Sequence, residues 1–185
     1  MGMNDDTAKP TETAATGAES EDMQALSGRI SSWRDFADRV SAVMAMAAAE
    51  PGLMTLSDRD FSHWPLGQRE VVDAFQQWVL GSAREIHCVV LAASFDAFMR
   101  THPRWVNWRK LWAHRVLCRQ APDDLATAVP TVFVLHGRLA LRIVEPLVGR
   151  GVWTRDPAVM GDWLTEVDVI SQRSHDALPP TTLGI

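Results

Sequence analysis

Residues Val129–Glu145, VPTVFVLHGRLALRIVE, decide how this chain is read. Two runs of β-branched and aliphatic residues, Val129–Leu135 and Arg138–Val144, flank His136-Gly137. A two-residue link containing Gly supplies the positive φ that a tight hairpin turn needs, so this stretch predicts two antiparallel strands. Upstream, residues 85–92, EIHCVVLA, form a continuous apolar run of strand length, as strands buried on both faces do. Residues 115–119 and 151–154 read as further strands, and Leu53–Leu56 as a short one.

Helices fall between these runs. Ser32 and Asp35 have the spacing of a capping box, followed by Trp33, Phe36, Val40, Val43, Met44 and Ala47 at helical period. Glu50-Pro51-Gly52 ends that helix. A second amphipathic helix is expected over 69–81, with Val72, Phe75 and Val79 on one face. Phe95–Met99 reads as helical. Pro103 suits the first turn of another helix, in which Trp105, Trp108 and Trp112 form a stripe. Asp156-Pro157 opens the last helix as N-cap and first residue, with Val159, Trp163, Val167 and Ile170 as its apolar stripe. Pro179-Pro180 ends regular structure. Strands alternating with helices, then a hairpin and a helix, predict an α/β fold with a mixed β-sheet sandwiched by helices.

The chain has 185 residues, enough for one domain with a real core, and its 46% apolar and 22% charged content is ordinary for a globular protein. Residues 1–28 carry almost no large apolar side chains and are expected to be a disordered acidic leader, with the single domain spanning 32–185. Of the formal net charge of −5, most lies in the first thirty residues, where six acids face Lys9 and Arg29. The overall charge argues against indiscriminate nucleic-acid binding while leaving room for a local basic face. No stretch resembles a signal peptide or a membrane span, so a cytoplasmic protein is expected. Cys88 and Cys118 are expected to be reduced core thiols, a disulfide being open only if their strands are adjacent. Indole N–H groups need partners when buried, so several of the eight Trp are expected at the edge of the core.

The order of these elements resembles one half of the phospholipase D superfamily. The residues that carry the resemblance are the EIHCVVLA strand, the stretch HPRWVNWRKLW, the HRVLCR strand, the VPTVFVLHGRLALRIV hairpin and the ending WLTEVDVISQRSHDALPPTTLGI. That ending is similar to the carboxy-terminal signature of a bacterial family of unknown function with a phospholipase-D-like fold. The resemblance implies a catalytic His-x-Lys-x4-Asp on the strand entering the hairpin, where His attacks phosphorus and Lys holds the phosphate oxygens. Aligning the motif's Asp-Gly with His136-Gly137 puts Val129 at the nucleophile and Thr131 at the lysine. Neither can serve: valine has no lone pair and threonine no positive charge. In another register His136 and Arg138 stand as a relic His-x-Lys-like pair, Arg holding phosphate in place of Lys, but the Asp at its expected spacing is missing. Single-half members pair to build one site, so the resemblance also implies a homodimer.

Arg100–Arg119, RTHPRWVNWRKLWAHRVLCR, holds six permanent cations and no carboxylate. It reads either as a phosphate- or partner-binding face with indoles for stacking, or as a core Trp stripe with Arg100, Arg104, Arg109 and Lys110 directed to water. The expected contact residues are Arg104, Arg109, His114, His136 and Arg138, binding an anionic ligand or a protein partner. Arg supplies forked donors and His a pH-sensitive one. Nucleic acid is a weaker option. The six His have no metal-ligand spacing, so no metal is expected, and no cofactor motif is present. Ser174-His175-Asp176 has triad residue types, but adjacency in sequence does not create triad geometry. A structural or regulatory module that recruits a partner through its acidic leader is the third reading.

Overall fold

The computed structural model describes residues 25–83, 85 and 87–179. Eight strands form one mixed sheet: β1 (Ser27–Ile30), β2 (Met54–Asp58), β3 (Cys88–Ala92), β4 (Val116–Gln120), β5 (Val132–Leu135), β6 (Leu139–Glu145), β7 (Arg150–Thr154) and β8 (His175–Asp176). Their spatial order is β1-β7-β6-β5-β2-β3-β4-β8. β2, β3 and β4 run parallel, and every other pairing is antiparallel. The α/β mixed sheet expected from the pattern is therefore present, and the hairpin turns at Gly137, φ +73°.

Alternation along the strands gives the sheet two apolar faces. Met54, Leu56, Cys88, Val90, Val116, Cys118, Phe133, Leu135, Leu141 and Trp153 face the larger core. That core is closed by α1 (Trp33–Ala49), α2 (Arg69–Gly81), α3 (Asp96–Thr101) and α4 (Pro103–Leu111). On the opposite face Leu91, Val132, Val134 and Ala140 pack under α5 (Pro157–Arg173) through Met160, Val167 and Ile170. Both helices with predicted caps have them. The Ser32 hydroxyl accepts from the Asp35 N–H and Asp156 from the Ala158 N–H. The return bond of the first cap differs, since Asp35 accepts from the N–H of Ser31 at 2.8 Å, one residue before the predicted partner.

The leader boundary also differs from expectation. Residues 1–24 lie outside the described residues, but Ser27 and Gly28 form part of β1. Gly28 is required there because a Cβ would lie 2.5 Å from the Trp153 indole. Cys88 and Cys118 are free thiols on adjacent strands. Cys88 pairs with Val116, so Cys118 sits two residues further along, about 8 Å away between Cα atoms and beyond disulfide reach. Burial pushes the Cys118 thiol up to about 12 and Cys88 well above its ordinary value. The Trp105/Trp108/Trp112 stripe faces the core: Trp105 and Trp108 are buried and Trp112 half-buried. Not every buried indole finds a partner: the N–H groups of Trp64, Trp105 and Trp153 have none among the described residues.

Candidate functional site

The loop leaving β2 is held by one carboxylate. Asp58, buried at the strand end, accepts from the Asp60 N–H at 3.1 Å, the Phe61 N–H at 2.6 Å and the Thr131 hydroxyl. Burial raises its carboxyl above the ordinary value, against the pull of those three bonds. Phe61 sits at φ +59°, where a bulky side chain is strained. Its fully buried ring packs on Trp64 and Phe98, and the His102 Nε2 bonds its carbonyl at 2.9 Å. The Arg59 carbonyl accepts from Ala93 and Ser94 N–H, which joins this loop to the one after β3.

These loops border a cleft of about 730 Å³ at the carboxyl ends of β2 and β3. In open α/β sheets this is the end where ligands bind. Trp33 and His63 stack on one side with centroids 4.3 Å apart. The Trp33 indole donates to the Pro146 carbonyl, and Gly149, at φ +70°, lies so close to Trp33 that a Cβ would be 2.3 Å from the Trp33 backbone nitrogen. Across the cleft Arg142 donates to both oxygens of Glu166, at 2.5 and 3.1 Å, with its guanidinium over the Trp163 ring. Asp60 accepts from the Ser62 N–H. Arg59 is exposed and its guanidinium has no partner among the described residues. Val129 and Thr131 line the same cleft.

The five contact residues expected from sequence are not brought together. Arg104, on α4, donates to the Gly67 carbonyl at 2.7 Å. Arg109 is buried rather than directed to water and donates to the carbonyls of Val116 and Leu178. His114 is exposed beside the Trp112 ring. His136 is half-buried, its Nε2 2.9 Å from the Thr55 hydroxyl. Arg138 is bonded to the Glu50 carbonyl at 2.6 Å and its carboxylate at 2.9 Å. The hairpin turn lies at the end of the sheet away from the cleft: His136 pairs beside Leu53, five residues or roughly 16 Å along β2 from Asp58.

Half of the basic segment is spent internally, while Arg100, Arg104 and Lys110 are exposed. Arg115 is buried with its guanidinium on Ser82 and Ala83. Arg119 donates to Asp176 and to the Ser171 and Ser174 carbonyls. With Arg109 it holds the segment after α5 against β4. The residues that do share a cleft, Asp58, Arg59, His63 and Arg142, were missed. Their signal was positional: Asp58-Arg59-Asp60 is a charged run directly after a parallel strand. Among the described residues no three His, Cys, Asp or Glu side chains are placed to hold a metal ion, and no helix is long and apolar enough to cross a membrane.

No protein-family model matches the chain, and no curated protein matches it. Among solved structures, TrmBL2, an archaeal chromatin protein whose structure shows a novel mode of DNA binding, aligns over 88% of this chain with a TM-score of 0.60 and 10% identity. This chain spans 62% of that one. Nuc, a phospholipase D family member from Salmonella typhimurium, aligns over 74% of this chain and 89% of its own with a TM-score of 0.45 and 8% identity. The likeness to TrmBL2 is one of fold.

Proposed function

We propose that this domain binds a small anionic ligand in the cleft at the carboxyl ends of β2 and β3, and does not transform it. The observation that carries the reading is the state of the charged groups there. Asp58 is occupied by three donors, Glu166 by Arg142 and one oxygen of Asp60 by a backbone N–H. Arg59 is left as a cation without a partner among the described residues, beside the flat Trp33–His63 wall. A guanidinium next to an aromatic face suits a planar anion or a phosphate ester.

The sequence resemblance to the phospholipase D superfamily assigns the phosphate-attacking and phosphate-holding positions to Val129 and Thr131, and both residues border this cleft. The Thr131 hydroxyl donates to the Asp58 carboxylate, which also accepts two backbone N–H groups, so this bond serves the loop. The alternative pair fares no better, because the Arg138 guanidinium is already bonded to Glu50. DNA binding in general draws on an exposed basic surface. Here the formal charge is −5, and Arg109, Arg115 and Arg119 are bonded within the domain.

Calorimetry with phenyl phosphate, benzyl alcohol serving as the neutral comparison, tests the reading. Saturable binding of the phosphate that weakens at least ten-fold in Arg59→Ala is expected, together with no hydrolysis of bis(p-nitrophenyl) phosphate above background. Hydrolysis by the wild type that is lost in His136→Ala overturns it, as does an absence of phosphate binding.

A further inference from the structure

We infer that a second cleft, on the α5 face of the sheet, is a site for a small alkyl- or arylammonium ion held between Asp168 and His136. This cleft is separate from the first and does not depend on it. It has a volume of about 420 Å³, within the roughly 300–1,000 Å³ usual for small-molecule sites. Val89, Leu164 and Val167 give it apolar walls, and Thr55 and His136 close its sheet side.

The polar groups select the sign of the ligand. No Lys or Arg is among the residues lining the cleft, and Asp168 is the one carboxylic side chain among them. Asp168 is anchored rather than satisfied: Oδ2 accepts from the Gln172 amide at 2.6 Å, which leaves Oδ1 for a further donor. The Thr55 hydroxyl holds the His136 ring by Nε2 at 2.9 Å. The proposal assigns the tautomer in which Nε2–H donates to Thr55, so that Nδ1 carries the lone pair that accepts from an ammonium. Leu164 and Asp168 are one helical turn apart on α5, so an apolar body resting on Leu164 brings its cationic end to Asp168. A carboxylate ligand would meet Asp168 with no compensating cation, and a neutral alcohol would leave the charge of Asp168 unused.

The probes are 2-phenylethylammonium, 3-phenylpropionate and 2-phenylethanol, titrated into the full chain by calorimetry and by amide-resolved NMR. The ammonium is expected to bind saturably and to shift amides at 136 and 164–171, with the alcohol weaker and the carboxylate not binding there. Asp168→Asn, a change at an exposed position that leaves the fold intact, is expected to weaken the ammonium at least ten-fold. His136→Gln is expected to weaken it less. Absence of saturable ammonium binding, equal binding of ammonium and carboxylate, or an Asp168→Asn variant that binds like the wild type overturns the assignment.

Discussion

The Thr131 hydroxyl donates to the buried carboxylate of Asp58, joining the approach to β5 to the end of β2. The same carboxylate takes the N–H groups of Asp60 and Phe61, so one side chain fixes the floor of the first cleft and the strained backbone at Phe61. Removing its acceptors leaves two backbone donors unmet. Asp58→Ala is expected to cost on the order of 2–4 kcal/mol and Thr131→Val about 1–2 kcal/mol. The pH dependence has a definite sign. Burial raises the folded-state value above 3.8, so the folded protein holds this proton more tightly than the unfolded chain. Stability from Asp58 is therefore greatest in acid and falls as pH rises from about 3.8 through the folded value. In urea unfolding from pH 4 to 7 the wild type should lose stability relative to Asp58→Asn as pH rises. Parallel curves for the two proteins would refute it.

Arg109 separates a structural cation from an exposed one. It is buried and spans from the start of β4 to the Leu178 carbonyl, while Arg104 on the same helix is exposed and makes one bond to Gly67. Arg109→Ala leaves two carbonyls without their donor and is expected to cost about 2–4 kcal/mol. Arg104→Ala is expected to stay within about 0.5 kcal/mol. Hydrogen exchange gives the mechanism as well as the size. The Ala177 N–H, which donates to the Cys118 carbonyl, should exchange faster in Arg109→Ala and be unchanged in Arg104→Ala. Unchanged protection at Ala177 in both variants would show that Arg109 does not hold this segment.

What the sequence made legible follows from periodicity. The helix over 69–81 and the caps at Ser32 and Asp156 rest on local chemistry, and they stand where local chemistry put them. β1 and β8 were not legible because SGRI and HD carry no alternation, and both gain their order from partners distant in sequence, β7 and β4. The spacing of the Trp stripe allowed a core reading beside a stacking one, and the burial of Trp105 and Trp108 decides for the core. The destination of the cations beside it was not readable: that Arg109 meets Leu178, 69 residues away, is a product of topology. The site was the least legible part. The cleft draws Trp33, Arg59 and the hairpin residues Thr131 and Arg142 from three separate regions of the chain, and no spacing rule connects the three.

Two histidines should make the protein less stable in mild acid. Burial lowers the value of His102, against the bond its ring makes to the Phe61 carbonyl, and burial likewise lowers that of His136. A depressed folded value means that the unfolded chain takes up the proton first as pH falls through 6.5. Both groups therefore contribute stability that is intact above 6.5 and is lost as pH drops from there toward the folded values. This window opens at 6.5 and runs downward, whereas that of Asp58 opens at 3.8 and runs upward, and the two slopes have opposite signs. Urea midpoints at pH 8 and pH 5.5 should show a weaker wild type at the lower pH. His102→Gln keeps a donor for the Phe61 carbonyl, and His136→Gln keeps a polar group near Thr55. Each variant should narrow the gap between the two midpoints, His102→Gln the more strongly because that ring is buried and His136 only half so. A gap of the same size in the wild type and both variants would mean that other groups set the acid sensitivity.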